Sequence, residues 1–179
     1  MDMNRIVLVT GGARSGKSSF SEKRVLVFST KYVYVATAPV LDDEMKKRVE
    51  LHQSKRAGDG WITVEEPLDL PRALAEAERL GADAVLVDCL TLWINNLMYR
   101  DPAFDEAQMA FETQKLLTAL KAFPGLVVLV INEVGLGIVP DTPLGRVFRD
   151  CSGRCGQIIA AASDEVWFCV CGIPQKIKG

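Results

Sequence analysis

The sequence predicts a doubly wound α/β fold: one domain over residues 1–179, with a mainly parallel sheet carrying helices on both faces. Two observations predict it. Apolar runs of strand length recur as continuous stretches rather than alternating ones, and helical patterns lie between them. A strand apolar at every position is covered on both faces, as in a parallel sheet. Strands alternating with helices imply right-handed crossovers. The runs are Ile6–Val9, Tyr32–Ala36, Ala84–Val87, Leu126–Ile131 and Val166–Val170, with Trp61–Val64 as a short edge strand. The helical patterns are Lys17–Phe28, Leu41–Lys55 with Asp42 or Asp43 as a cap, Leu70–Leu80, Leu90–Tyr99, Ala107–Phe123 and Leu144–Ala162. Gly81 supplies a natural end to the third of these. Ligands of such sheets bind beyond the carboxyl ends of the strands.

Bulk properties narrow the function classes. A chain of 179 residues buries enough surface to need no disulfide or metal staple. The formal net charge of −2 argues against a nucleic-acid or membrane surface, which needs a basic excess. The first apolar run, Ile6–Val9, is too short for a secretory leader, and no apolar stretch reaches membrane-span length. The expected location is the cytoplasm. Five cysteines, Cys89, Cys151, Cys155, Cys169 and Cys171, form an odd set that suits reduced thiols. Neither Cys151/Cys155 nor Cys169/Cys171 has the usual zinc-ligand spacing, so they read as small buried hydrophobes.

The segment Gly11-Gly12-Ala13-Arg14-Ser15-Gly16-Lys17-Ser18 follows a strand-like run and opens a helix. It fits G-x-x-x-x-G-K-[ST], the phosphate loop of P-loop NTPases. Glycines let successive backbone N–H groups curl around phosphate oxygens, and the helix N-terminus adds positive potential. Lys17 is placed to reach the β- and γ-phosphates of GTP or ATP, and the Ser18 hydroxyl to ligate Mg2+. Such a site also needs a carboxylate at the end of a neighbouring strand. Asp88 closes Ala84–Val87 and is the candidate metal or water ligand, and Glu133 stands similarly after Leu126–Ile131.

His52 is the sole histidine. Leu41, Met45, Val49 and His52 share one helical face, which permits a histidine packed beside a core stripe. Arg48, Lys55 and Arg56 lie within a turn of it, which suits a phosphate site instead. Those cations would also depress the imidazole pKa and keep a lone pair available. A neutral imidazole can attack an α-phosphate and form a phosphoramidate. The residues allow both readings.

Taken in order, these segments resemble the bifunctional adenosylcobinamide kinase / adenosylcobinamide-phosphate guanylyltransferases of cobalamin biosynthesis. The likeness runs nearly end to end. It includes Val9–Ser18, Tyr34–Ala38, Asp42–Met45 on to Arg48 and His52, Trp61–Glu65 and Asp88–Thr91. It continues through Asn132–Pro140, Phe148–Asp150 and Ala162–Trp167. The resemblance implies two steps: phosphorylation of the aminopropanol hydroxyl by a nucleoside triphosphate, then transfer of GMP from GTP to that phosphate. It places the guanylylated histidine on His52. It places nucleotide contacts on Gly11–Ser18, on Thr37, Ala38 and Pro39, on Gln53, Ser54, Lys55 and Arg56, and on Glu65 and Asp88. It also implies a trimer acting on a corrinoid. Glu133–Gly137 reads either as a turn after the strand or as a corrinoid or interface loop, because two glycines flanking a leucine permit unusual backbone angles. After Arg154 the family usually shows Asn-Gln, whereas this chain has Cys155-Gly156-Gln157. A simple small-molecule kinase with a structural His52 is the competing reading.

Overall fold

The structure, a computed structural model, describes residues 4–38 and 60–179. The predicted helix Leu41–Lys55 lies outside them. In chain order the elements are β1 (Arg5–Gly11), α1 (Lys17–Phe28), β2 (Tyr32–Ala36), β3 (Ile62–Glu65), α2 (Leu70–Arg79), β4 (Ala84–Asp88), α3 (Leu90–Arg100), α4 (Glu106–Ala122), β5 (Leu126–Asn132), α5 (Pro143–Ala162), β6 (Glu165–Val170) and β7 (Ile173–Lys178). They form a seven-stranded sheet in the order β3-β2-β4-β5-β1-β6-β7. Every pairing is parallel except β6–β7.

The continuous apolar runs split cleanly between the two faces. Ile6, Leu8, Val33, Val35, Val85, Val87, Val127, Leu129 and Ile131 join one core cluster with residues of α2, α3, α4 and α5. Their neighbours Val7, Val9, Tyr34, Ala84, Leu86, Leu126, Val128 and Val130 join a second with Val25 and Phe20 of α1. Alternate side chains of one strand point to opposite faces, so both faces being buried is what removes polar residues from these runs. The helices start where short polar side chains hold free backbone N–H groups. Asp69 accepts from Arg72 N, Asp105 and Gln108 form a reciprocal capping box, and Thr142 accepts from Gly145 N.

Four features depart from the sequence reading. The strand β7 was not anticipated. It follows a turn in which Cys171 and Gly172 take φ values of 50° and 82°, and it runs antiparallel along the edge. Pro174 is tolerated there because an edge strand leaves one side unpaired. The short edge strand is Ile62–Glu65 rather than Trp61–Val64. The third difference is in strand order. Asp88 ends β4, but β4 does not adjoin β1, because β5 lies between them. Cys89, Cys151, Cys155 and Cys169 are buried as expected, but Cys171 is exposed in the turn before β7. Cys151 and Cys155 lie in the cluster on one face of the sheet and Cys169 in the cluster on the other, so the four suggested thiols do not converge.

Candidate active site at the carboxyl edge of the sheet

Parallel strands bring their carboxyl ends to one edge, and the register aligns the residues there. Glu65 pairs with Ala36, Ala36 with Asp88, and Asp88 with Val130. On the other side, Gly11 is level with Asn132 of β5 and Cys169 of β6. The phosphate loop leaves β1 at Gly11 and enters α1 at Lys17.

The loop is held by its own glycines and by the β6–β7 turn. Gly11 has φ 151°, and a Cβ there would clash with the carbonyl oxygen of Cys169 and come within 2.7 Å of Ser15 Oγ. Gly16 caps α1 in the left-handed region at φ 91°, with no side chain capping the helix. The first N–H groups of α1 therefore remain open to an anion. A Cβ on Gly16 would meet Gly172 Cα at 3.0 Å, and Gly172 N donates to Ser15 O at 3.0 Å. The turn between β6 and β7 is thus a wall of the loop, a part of the site that sequence reading missed. Gly172 just after the apolar run Val166–Val170 was the one local signal of a turn there.

Lys17 is buried and donates from Nζ to Gly12 O at 2.9 Å, across the mouth of its own loop. Burial pulls its pKa down, opposed near neutral pH by the negative charge of the Asp88 carboxylate. Asp88 therefore stands close enough to Lys17 to act on it, despite the intervening β5. Burial, with Asp88 adding to it, pushes the Cys89 thiol up to about 11, so this neighbour of the site stays a neutral thiol. Ser15 Oγ is buried without a hydrogen-bond partner among the described residues. A phosphate oxygen is the kind of acceptor such a hydroxyl lacks. Ser18 lies in the first turn of α1, and Tyr34 Oη donates to Asp88 Oδ2 at 3.2 Å.

Thr37 is fully buried, and its hydroxyl is used internally. Thr37 Oγ1 donates to Cys89 O at 2.8 Å and accepts from Cys89 N at 2.7 Å, tying the end of β2 to the end of β4. Its carbonyl accepts from Asn96 Nδ2 at 2.8 Å. The Thr37 hydroxyl is therefore engaged with protein, whereas Ala38 beside it is only half-buried. Glu65 is exposed at the end of β3. Its neighbour Glu66, which sequence reading passed over, is buried and accepts from Leu68 N, Asp69 N and Arg72. Glu133 N donates to Gly11 O at 2.9 Å, while its carboxylate accepts from Gly135 N and from Leu136 N at 3.2 Å. In this arrangement Glu133 organises its own loop against the phosphate loop. His52, Pro39, Gln53, Ser54, Lys55 and Arg56 lie outside the described residues.

Among the described residues no group of three or more His, Cys, Asp or Glu side chains converges as a metal cluster. The Ser18 hydroxyl and the Asp88 carboxylate are oxygen donors, the kind of ligand a magnesium ion takes. No described helix is long and apolar enough to cross a membrane.

Comparison with known proteins adds to this geometry. A family model described as "Cobinamide kinase / cobinamide phosphate guanyltransferase" matches residues 7–177. The chain is 44% identical over 184 residues to the bifunctional adenosylcobalamin biosynthesis protein CobU of Escherichia coli, covering 97% of this chain and 99% of that one. It is 43% identical over 185 residues to the protein of the same description from Salmonella typhimurium, with the same coverage. It is 41% identical over 172 residues to the bifunctional adenosylcobalamin biosynthesis protein CobP of Pseudomonas aeruginosa, covering 96% of each.

Proposed function

The chain belongs to the cobinamide kinase / cobinamide phosphate guanyltransferase family, and from that premise we propose that it performs both reactions at one nucleotide site, the second through a guanylyl-histidine at His52. The observation that supports the site most strongly is the phosphate loop itself. It offers an uncapped helix N-terminus, an orphan Ser15 hydroxyl, and a buried Lys17 held 2.9 Å from Gly12 O.

In the kinase step the aminopropanol hydroxyl oxygen of adenosylcobinamide attacks the γ-phosphorus of a nucleoside triphosphate. The bond from that phosphorus to the β,γ-bridging oxygen breaks, a nucleoside diphosphate leaves, and the hydroxyl proton is released. Gly11–Ser18 cradle the phosphates, and Lys17 leaves Gly12 O to follow the charge moving onto the leaving oxygen. A magnesium ion held by Ser18 and Asp88, when bound, would neutralise charge on the phosphate oxygens.

In the transferase step a neutral His52 nitrogen attacks the α-phosphorus of GTP, and pyrophosphate leaves. An oxygen of adenosylcobinamide phosphate then attacks the same phosphorus, the P–N bond breaks, and adenosylcobinamide-GDP forms with the imidazole restored. Arg48, Lys55 and Arg56 favour the unprotonated imidazole and screen the phosphates. Ala38, Pro39, Gln53, Ser54 and Glu65 complete the nucleotide contacts, with the backbone of Thr37 presented by the tie to Cys89. The working form is a cytoplasmic homotrimer of single-domain chains spanning residues 1–179. Five free cysteines, four of them buried, suit a reducing compartment.

Product analysis with labelled GTP and cobinamide tests the reading. Label from the γ-position should reach cobinamide phosphate, and label from the α-position should reach a corrinoid product with release of pyrophosphate. Transfer of γ-label alone, with none from the α-position, would leave only a small-molecule kinase.

A further inference from the structure

We propose that Tyr34 is a positioning residue of the nucleotide site: its phenol holds the Asp88 carboxylate off Lys17, so that the buried ammonium stays available to the phosphates. The proposal rests on the nucleotide reading above and deepens it by adding a residue that acts through another.

Strand parity places the three groups on one face of the sheet. Tyr34 is the register partner of Leu86, and both belong to the core cluster that packs under Phe20 and Val25 of α1. Asp88 stands two residues beyond Leu86, so its side chain leaves β4 on that same side. Lys17 opens the helix that covers it. Tyr34 Oη donates to Asp88 Oδ2 at 3.2 Å, while Lys17 Nζ donates to Gly12 O at 2.9 Å.

Lys17 and Asp88 are opposite charges, close enough for the carboxylate to act on the lysine against the effect of burial. Among the described residues they nevertheless form no ion pair, and each is turned to a neutral partner. Attraction between opposite charges is strong where water is scarce. A direct pair would occupy the cation that a triphosphate needs, so Asp88 is a competitor of the phosphates unless something restrains it. A phenol suits that task. It fixes a carboxylate oxygen by donating a hydrogen bond, and it brings no positive charge to cancel the carboxylate. A lysine or arginine in its place would do both.

The phenol is itself held in place. Tyr34 is 6% exposed, and Trp61 packs edge-on against it with ring centroids 6.0 Å apart. Trp61 also meets Tyr32 at 4.5 Å. Such aromatic packing fixes the ring and leaves its polar tip in one position.

Tyr34→Phe removes the oxygen and keeps the ring against Trp61. GTP is titrated into the full chain without divalent ions, so that metal ligation by Asp88 does not enter. The four proteins are wild type, Tyr34→Phe, Asp88→Asn and the double variant, which together measure the coupling between the two positions. Tyr34→Phe alone should weaken GTP binding about tenfold. In the Asp88→Asn background, where no carboxylate competes for Lys17, the same change should alter affinity by less than about twofold. A tyrosine that only fills the core would cost the same in both backgrounds. Equal losses in the two, or wild-type affinity in Tyr34→Phe, overturn the proposal. Asp88→Asn gives a second reading that does not depend on the folding of Tyr34→Phe. Freed of its competitor, Lys17 should bind GTP about twofold more tightly or better, and weaker binding than wild type overturns the proposal as well. A wild type that transfers label from GTP to cobinamide yet shows equal losses in both backgrounds keeps the enzymatic reading and loses this one. A wild type that transfers no label while the four affinities come out as stated does the reverse.

Discussion

Replacing Thr37 by valine separates a structural role from a nucleotide contact. The side chain is fully buried, and its hydroxyl makes two bonds to the backbone of Cys89, donating to the carbonyl at 2.8 Å and accepting from the amide at 2.7 Å. Valine keeps the shape and removes both bonds. The Cys89 carbonyl still accepts from Trp93 N at 3.2 Å, so it remains satisfied. The Cys89 amide loses its acceptor in a dry environment, which costs about 1–3 kcal/mol. For a domain of this size each kcal/mol moves the melting midpoint by about 2–4 °C, giving a fall of about 2–12 °C. Thr37→Ser keeps the hydroxyl and loses one methyl group, about 1 kcal/mol or less. Circular dichroism melts of the three proteins, with GTP titrations alongside, provide the comparison. The tie between β2 and β4 predicts that Val melts lowest, Ser close to wild type, and that serine retains GTP affinity. A Thr37→Val protein that melts with wild type yet no longer binds GTP would refute the reasoning and return the hydroxyl to the nucleotide.

Other perturbations probe the remaining parts. Gly11→Ala places a methyl group against the Cys169 carbonyl and Ser15 Oγ at a φ of 151°, so GTP affinity should fall by about tenfold or more; unchanged titration curves would mean that loop curvature does not seat the phosphates. Trp93→Ala removes a side chain that is 1% exposed and whose Nε1 donates to Leu68 O at 2.8 Å. It should cost about 3–5 kcal/mol in urea unfolding, and a loss below about 1 kcal/mol would show that the core re-collapses there. Glu165→Gln disrupts the buried carboxylate shared by Arg5, Arg24, Lys176 and Trp167 Nε1. Its cations are 48%, 32% and 37% exposed and can return to water, which keeps the cost at about 1–3 kcal/mol. Burial pushes the carboxyls of Glu66 and Glu165 up, but their hydrogen bonds and cations outweigh it and hold both below the ordinary value of 4.5. A depressed folded-state pKa contributes stability above the unfolded value and loses it as pH falls through the folded one. The melting midpoint should therefore drop as acid is added below 4.5, and Glu66→Gln should flatten that drop; an identical slope in the variant would exclude Glu66 as a contributor.

What could be read in the sequence was local or buried on both sides. The runs Tyr32–Ala36 and Ala84–Val87 locate β2 and β4 to within one residue, because every position is packed against one face or the other. The phosphate loop was legible because its chemistry lies within eight consecutive residues, Gly11–Ser18. β7 was not, because an exposed edge strand with Pro174 and two lysines has little apolar pattern to show. Strand order was not legible either, since no local feature says that β5 separates Asp88 from the phosphate loop. The bond between Thr37 and Cys89 joins residues 52 apart, and the motif containing Thr37 reads equally as ligand contact or strand tie.

Intact-mass measurement after exposure to GTP tests the central claim most directly. Wild-type protein should gain the mass of one GMP, the adduct should be lost in acid as a phosphoramidate is, and His52→Ala protein should gain nothing. No adduct on the wild type, or an equal adduct on His52→Ala, would contradict a guanylyl-histidine and leave the phosphate loop serving phosphorylation alone.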